Sequence, residues 1–198
     1  MLSACLPAVS PREGRPVEAG TGKALVFGRI RVTSPEYRRE FLSFSKDPME
    51  HMLPPDPVFN LELRGIRPAG GAVRYASNPA PKVEGDGSFY WILPYGDYVL
   101  ASNPRPYGSS RFDPQETTAL ARFSVPPGAG TVYLGTLEIV VRFGTVDLVD
   151  AFKGRETLYS ILRLSVADED GQASTCLLKR FPSVPEPRAT VPMAPEPR

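Results

Sequence analysis

The sequence predicts a mainly β protein, an antiparallel sandwich or barrel of about seven short strands joined by Gly/Pro turns. Three observations carry this expectation. Proline supplies 23 of the 198 residues, about double ordinary usage, and an interior proline removes a backbone donor and breaks a helix. Hydrophobic residues make up 41% of the chain, with 10 Phe and 8 Tyr, enough apolar surface to build a core. Several short runs alternate apolar and polar residues at period two, with no strand–helix–strand alternation between them. The 23 basic and 22 acidic residues leave a net charge of +1, which argues against a dedicated nucleic-acid binder. No run approaches the ~20 apolar residues that a membrane-crossing helix needs.

Residues 1–22 read as a leader and flexible tether, with Pro7, Pro11 and Pro16 and only scattered apolar positions. The folded domain is expected over 23–181. Ala24 to Val32 is β-rich, and Ile30 and Val32 alternate with Arg29 and Arg31. Residues 33–57 read as a partly structured insertion: Ser34-Pro35-Glu36 has the form of a helix start, but Pro48, Pro54, Pro55 and Pro57 soon break the pattern. Val58 to Arg64 places Phe59, Leu61 and Leu63 on one face, and Gly70-Gly71 turns into a short strand at Val73–Tyr75. Asp86-Gly87 is a turn signal, followed by Phe89, Trp91 and Leu93 at period two. Pro94-Tyr95-Gly96 turns the chain again, and Tyr98 and Leu100 resume the inward pattern. Strands follow at Leu120–Val125, Val132–Phe143 and Leu158–Val166, with a bulge or bend expected at Gly135. Gln172–Arg180 has helical composition, with Ala173, Cys176 and Leu177 on one face and Phe181-Pro182 ending it. Residues 182–198 repeat Pro-Glu-Pro-Arg and read as an extended, disordered tail without core-forming residues.

Leu2-Ser3-Ala4-Cys5 resembles the bacterial lipobox, in which a branched apolar residue and two small ones precede the cysteine that is lipidated. The small residues leave an extended backbone open to a signal peptidase, and the thiolate accepts the diacylglyceryl group. The resemblance implies a membrane anchor at Cys5 and an envelope address. Leu6 stands where an Asp would retain such a protein at the inner membrane, so the implied destination is the outer membrane, facing the periplasm. Apart from that resemblance, Cys5 is an ordinary surface thiol. A Cys5–Cys176 disulfide would require the leader to fold back.

The block Asp86-Gly87-Ser88-Phe89 with Leu93-Pro94-Tyr95-Gly96-Asp97-Tyr98 is similar to a hairpin of carboxypeptidase regulatory-like domains. Those domains are seven-stranded transthyretin-like (prealbumin-like) sandwiches, often carried by small bacterial lipoproteins. The resemblance implies an accessory or protein-interaction module and carries over no catalytic residue.

The chemistry-bearing residues are sparse. His51 is the single histidine, which leaves at most one imidazole for a hydrolase or a metal site, the latter with Asp47, Glu50 and Asp56 nearby. No Gly-x-Ser-x-Gly elbow or phosphate-cradling Gly-rich loop is present. Asp168-Glu169-Asp170-Gly171 lacks a calcium ladder and reads as a solvated turn into the helix. Phe89, Trp91 and Tyr98 read as core. Tyr90, Tyr95 and Tyr107 are candidates for an exposed stacking platform for a glycan or a partner's apolar anchor. The expectation is a non-enzymatic envelope module without a cofactor, its partners being the membrane and an envelope protein. The alternative is a carbohydrate-binding module using those tyrosines.

Overall fold

The computed structural model describes residues 10–35, 60–69, 72–79, 82–103, 118–143 and 159–197. In chain order the elements are β1 (Lys23–Thr33), β2 (Asn60–Ala69), β3 (Ala72–Pro79), β4 (Ser88–Pro94), β5 (Gly96–Asn103) and β6 (Thr118–Val125). There follow β7 (Thr131–Phe143), β8 (Tyr159–Ala167), the helix α1 (Asp170–Arg180), β9 (Arg188–Thr190) and β10 (Ala194–Pro195). The strands form two five-stranded sheets among the described residues. The first runs β4-β1-β7-β8 with β9 also paired to β7, and the second runs β10-β6-β5-β2-β3. The expected mainly β fold with a short helix is therefore present.

Period-two alternation explains the shared core. Val26, Phe89, Trp91 and Leu137 of the first sheet lie in one buried cluster with Leu63, Tyr98, Leu100 and Phe123 of the second. The Trp91 ring stacks on Phe89 with centroids 4.0 Å apart, and its indole N–H donates to the Lys82 carbonyl oxygen. Removing this apolar surface from water is the main force holding the two sheets together.

Gly135 is the expected bulge. Phe27 pairs with Tyr133 but Arg29 with Thr136, so β7 spends one extra residue there, and Gly135 takes φ +87. The inward face consequently shifts from Val132 and Leu134 to Leu137 and Ile139. Opposite it, a Cβ on Gly28 would lie 2.6 Å from the Gly135 carbonyl oxygen and 2.8 Å from the Phe89 ring.

The topology departs from the sequence expectation in three respects. β1 and β7 pair in parallel, as do β7 and β9, so the first sheet is mixed rather than antiparallel. β4 and β5 do not form a hairpin. Pro94–Gly96 is a corner at which the chain leaves the first sheet for the second, and the Tyr98 hydroxyl ties it by donating to the Pro94 carbonyl at 2.7 Å. Gly96 at φ +148 is the residue that accommodates the turn.

The third correction concerns both ends of the described chain. Residues 10–22 were expected to be tether, yet Val17 and Ala19 are buried, and the Gly14 and Val17 amides donate to the Arg180 and Ser183 carbonyls. Residues 182–197 supply β9 and β10 and bury Met193 to 3% exposure in the core. The prolines misled because they occur where no donor is required. Edge positions tolerate proline, and the intervening amides of Val191, Met193 and Glu196 donate to Tyr133, Leu134 and Leu120.

A third layer lies outside the first sheet. Leu25, Phe27, Tyr90 and Tyr133 point away from the shared core and pack beneath Leu177, Phe181 and Val17. The helix that covers them carries Asp170 in its first turn and Lys179 and Arg180 in its last, which complements its dipole.

Candidate functional site: the clefts beneath helix α1

The outer face of β1 reads Leu25, Phe27, Arg29, Arg31. Its apolar half is covered by the helix layer, and its basic half emerges beyond it. Where that face changes character, a cleft of about 50 Å³ opens between the first sheet and α1. Phe27, Arg29, Asp86, Tyr90, Glu169 and Cys176 are among its walls. On the far side of Tyr90 a second cleft, of about 130 Å³, lies between residues 10–13, Lys82, Glu84 and Arg180.

The polar groups around these clefts are largely engaged with one another. The Arg31 guanidinium contacts Glu138 and Glu169, both at 3.0 Å. Thr136 donates its hydroxyl to Glu169 at 2.8 Å, and Ser165 donates to Glu138. The Glu169 amide in turn donates to the Tyr133 hydroxyl at 2.8 Å. Burial would push the Glu169 carboxyl up, but the Thr136 hydrogen bond and Arg31 outweigh it and hold the carboxyl below the usual carboxylate range. An acid–base catalyst at neutral pH needs the opposite tuning.

Arg180 bridges Glu13 and Glu84, each at 3.1 Å, and lies over the Tyr90 ring. Burial pushes the Tyr90 phenol above its ordinary value, with the Ser88 hydrogen bond a smaller opposing effect, so it stays neutral at physiological pH. Cys176 is a free thiol, half-buried in the first cleft wall. No group of three His, Cys, Asp or Glu side chains gathers as a metal site among the described residues.

Of the predicted contact residues, Tyr90 and Tyr95 are described, and they lie in different clusters. Tyr90 is 7% exposed and sits edge-on to Phe181 in the outer cluster. Tyr95 packs against the inner core, and its hydroxyl donates to the Ala129 carbonyl. The two rings therefore serve opposite sides of the first sheet. The alternation rule placed Tyr90 opposite the core correctly, but a helix layer occupies that side. Tyr107, Cys5 and His51, together with Asp47, Glu50 and Asp56, lie outside the described residues.

No family model matches the chain, and no curated protein matches it either. Arg180, which lines the second cleft, and Arg31, which pairs with Glu169 of the first, were not singled out from the sequence. The switch from apolar to basic along the outer face of β1 was the available signal for Arg31. Glu169 was read as part of a solvated turn, and its pairing with a strand 138 positions away leaves no local trace.

Proposed function

We propose that this chain is a non-enzymatic accessory module of a bacterial envelope, anchored by lipid at Cys5 and facing the periplasm from the outer membrane. In this reading the two sheets are an elaborated transthyretin-like sandwich of the carboxypeptidase regulatory-like type, and the body acts by contacting an envelope protein. The lipobox-like Leu2-Ser3-Ala4-Cys5 and the block from Asp86 to Leu100 support the address and the fold type.

The observation that carries the interaction reading is the size and state of the clefts. At about 50 and 130 Å³ they fall below the ~300–1,000 Å³ of typical small-molecule sites. Their charged walls are already paired within the chain. Clefts of this size suit contact with a partner's edges better than enclosure of a substrate.

The test is expression of the full-length gene in a bacterial host with labelled palmitate, followed by intact-mass measurement and membrane fractionation. The expected result is a lipid-modified protein in the envelope fraction, and loss of both label and membrane association in Cys5→Ser. An unmodified protein, soluble with or without Cys5, overturns the proposed anchor.

A further inference from the structure

The segment that follows α1 crosses the molecule from one sheet to the other. It pairs in parallel with Thr131–Tyr133 of β7, then antiparallel with Ala121 and Arg122 of β6. Between these pairings Met193 inserts into the core that both sheets share. The body is shaped to receive this backbone. A Cβ on Gly130 would lie 2.6 Å from the Glu186 carbonyl oxygen, and the Gly130 and Thr131 amides both donate to the Pro187 carbonyl.

We propose that this groove is a peptide-docking site, filled by the chain's own residues 186–197, and that the same segment of a second copy fills it in exchange. Three features point to that occupant. Recognition combines backbone pairing with apolar side chains, Met193 buried and Ala189 and Val191 packed against the core, which is how an extended peptide is added to sheet edges. Ion pairs between Arg122 and Glu196 and between Arg188 and Asp170, one near each end, fix the register for this particular sequence. The segment also begins past a fixed point. Phe181 is held in the outer cluster, and the Ser183 and Pro185 carbonyls accept from the Val17 amide and the Thr131 hydroxyl. No helix or sheet pairing runs through 182–187, so residues 182–185 stay with their own body and 186–197 is the part exchanged. An identical segment from another copy remakes every contact that departure breaks, the condition under which swapping costs little. Proline also limits the conformational freedom lost on docking.

Two wild-type copies carrying different mass tags are to be mixed at high concentration, held for hours just below the unfolding transition, and read by native mass spectrometry. Mixed dimers are expected. A synthetic peptide of residues 186–197 in about hundred-fold excess is expected to lower the dimer fraction at least about fivefold, by mass action. The same peptide carrying Met193→Asp is expected to leave that fraction unchanged. Monomers throughout overturn the proposal, whether or not labelled peptide binds. Dimers that are indifferent to the wild-type peptide, or equally sensitive to both peptides, overturn it as well.

Discussion

Glu169 shows how one side chain can tie a helix to a sheet without capping it. Its position before α1 is that of an N-cap, yet its carboxylate makes no cap bond and instead reaches Arg31 and Thr136. A carboxyl whose folded pKa lies below its unfolded value adds stability above the unfolded pKa, and that stability is lost as pH falls through the folded pKa. Acidification should therefore weaken the fold in the acid range where Glu169 protonates. Glu169→Gln should cost about 1–2 kcal/mol at neutral pH and flatten that part of the acid dependence. Urea midpoints measured across pH for both proteins check this, and parallel acid profiles would assign the effect to other carboxylates. The sequence named Glu169 only as a turn residue because its partner groups come from β1 and β7, which are distant in the chain.

At the scale of elements, the sequence and the structure agree where a strand's own alternation determines its faces. Phe89, Trp91 and Leu93 read as one face and are one face. Gly135 read as a bulge, since glycine inside an apolar run has few other uses. Pairing was less legible. Nothing local in Ala24–Val32 specifies a parallel neighbour more than 100 residues later, and the signature of a tight turn at Pro94–Gly96 is the same for a hairpin as for a corner between sheets. The helix was read from Ala173, Cys176 and Leu177, and its burial pattern gives a direct check. Leu177 is 1% exposed and Leu178 is 60% exposed. Leu177→Ala should destabilise by about 2–5 kcal/mol, as core truncations do, whereas Leu178→Ala should stay within about 0.5 kcal/mol. Thermal or urea unfolding of the pair measures the contrast, and equal effects would mean that α1 is not held through this face.

For the molecule as a whole, the three layers and both ends of the described chain share the first sheet as their common support. Val17, Leu177 and Phe181 lie on one side of it, and Met193 joins the core on the other. A body linked in this way should unfold as one cooperative unit. Trp91, the single tryptophan and fully buried, reports the inner core, and the Cys176 thiol reports the outer layer. In a Cys5→Ser background, tryptophan fluorescence and Cys176 labelling should give the same urea midpoint. A thiol that becomes reactive at clearly lower urea would make the helix layer a separate unit.

The docking of residues 10–22 also sets a distance. Five residue steps separate Cys5 from Ser10, a span of at most about 18 Å when fully extended. With the proposed lipid in place, the body is therefore moored on a short line rather than cast out on a long one. Since Gly14 and Val17 are bonded to the backbone around the end of α1, the proposed anchor would keep the helix side near the headgroups. On that proposal the second sheet would be turned toward the periplasm, and a partner would have to come to the membrane surface to meet it.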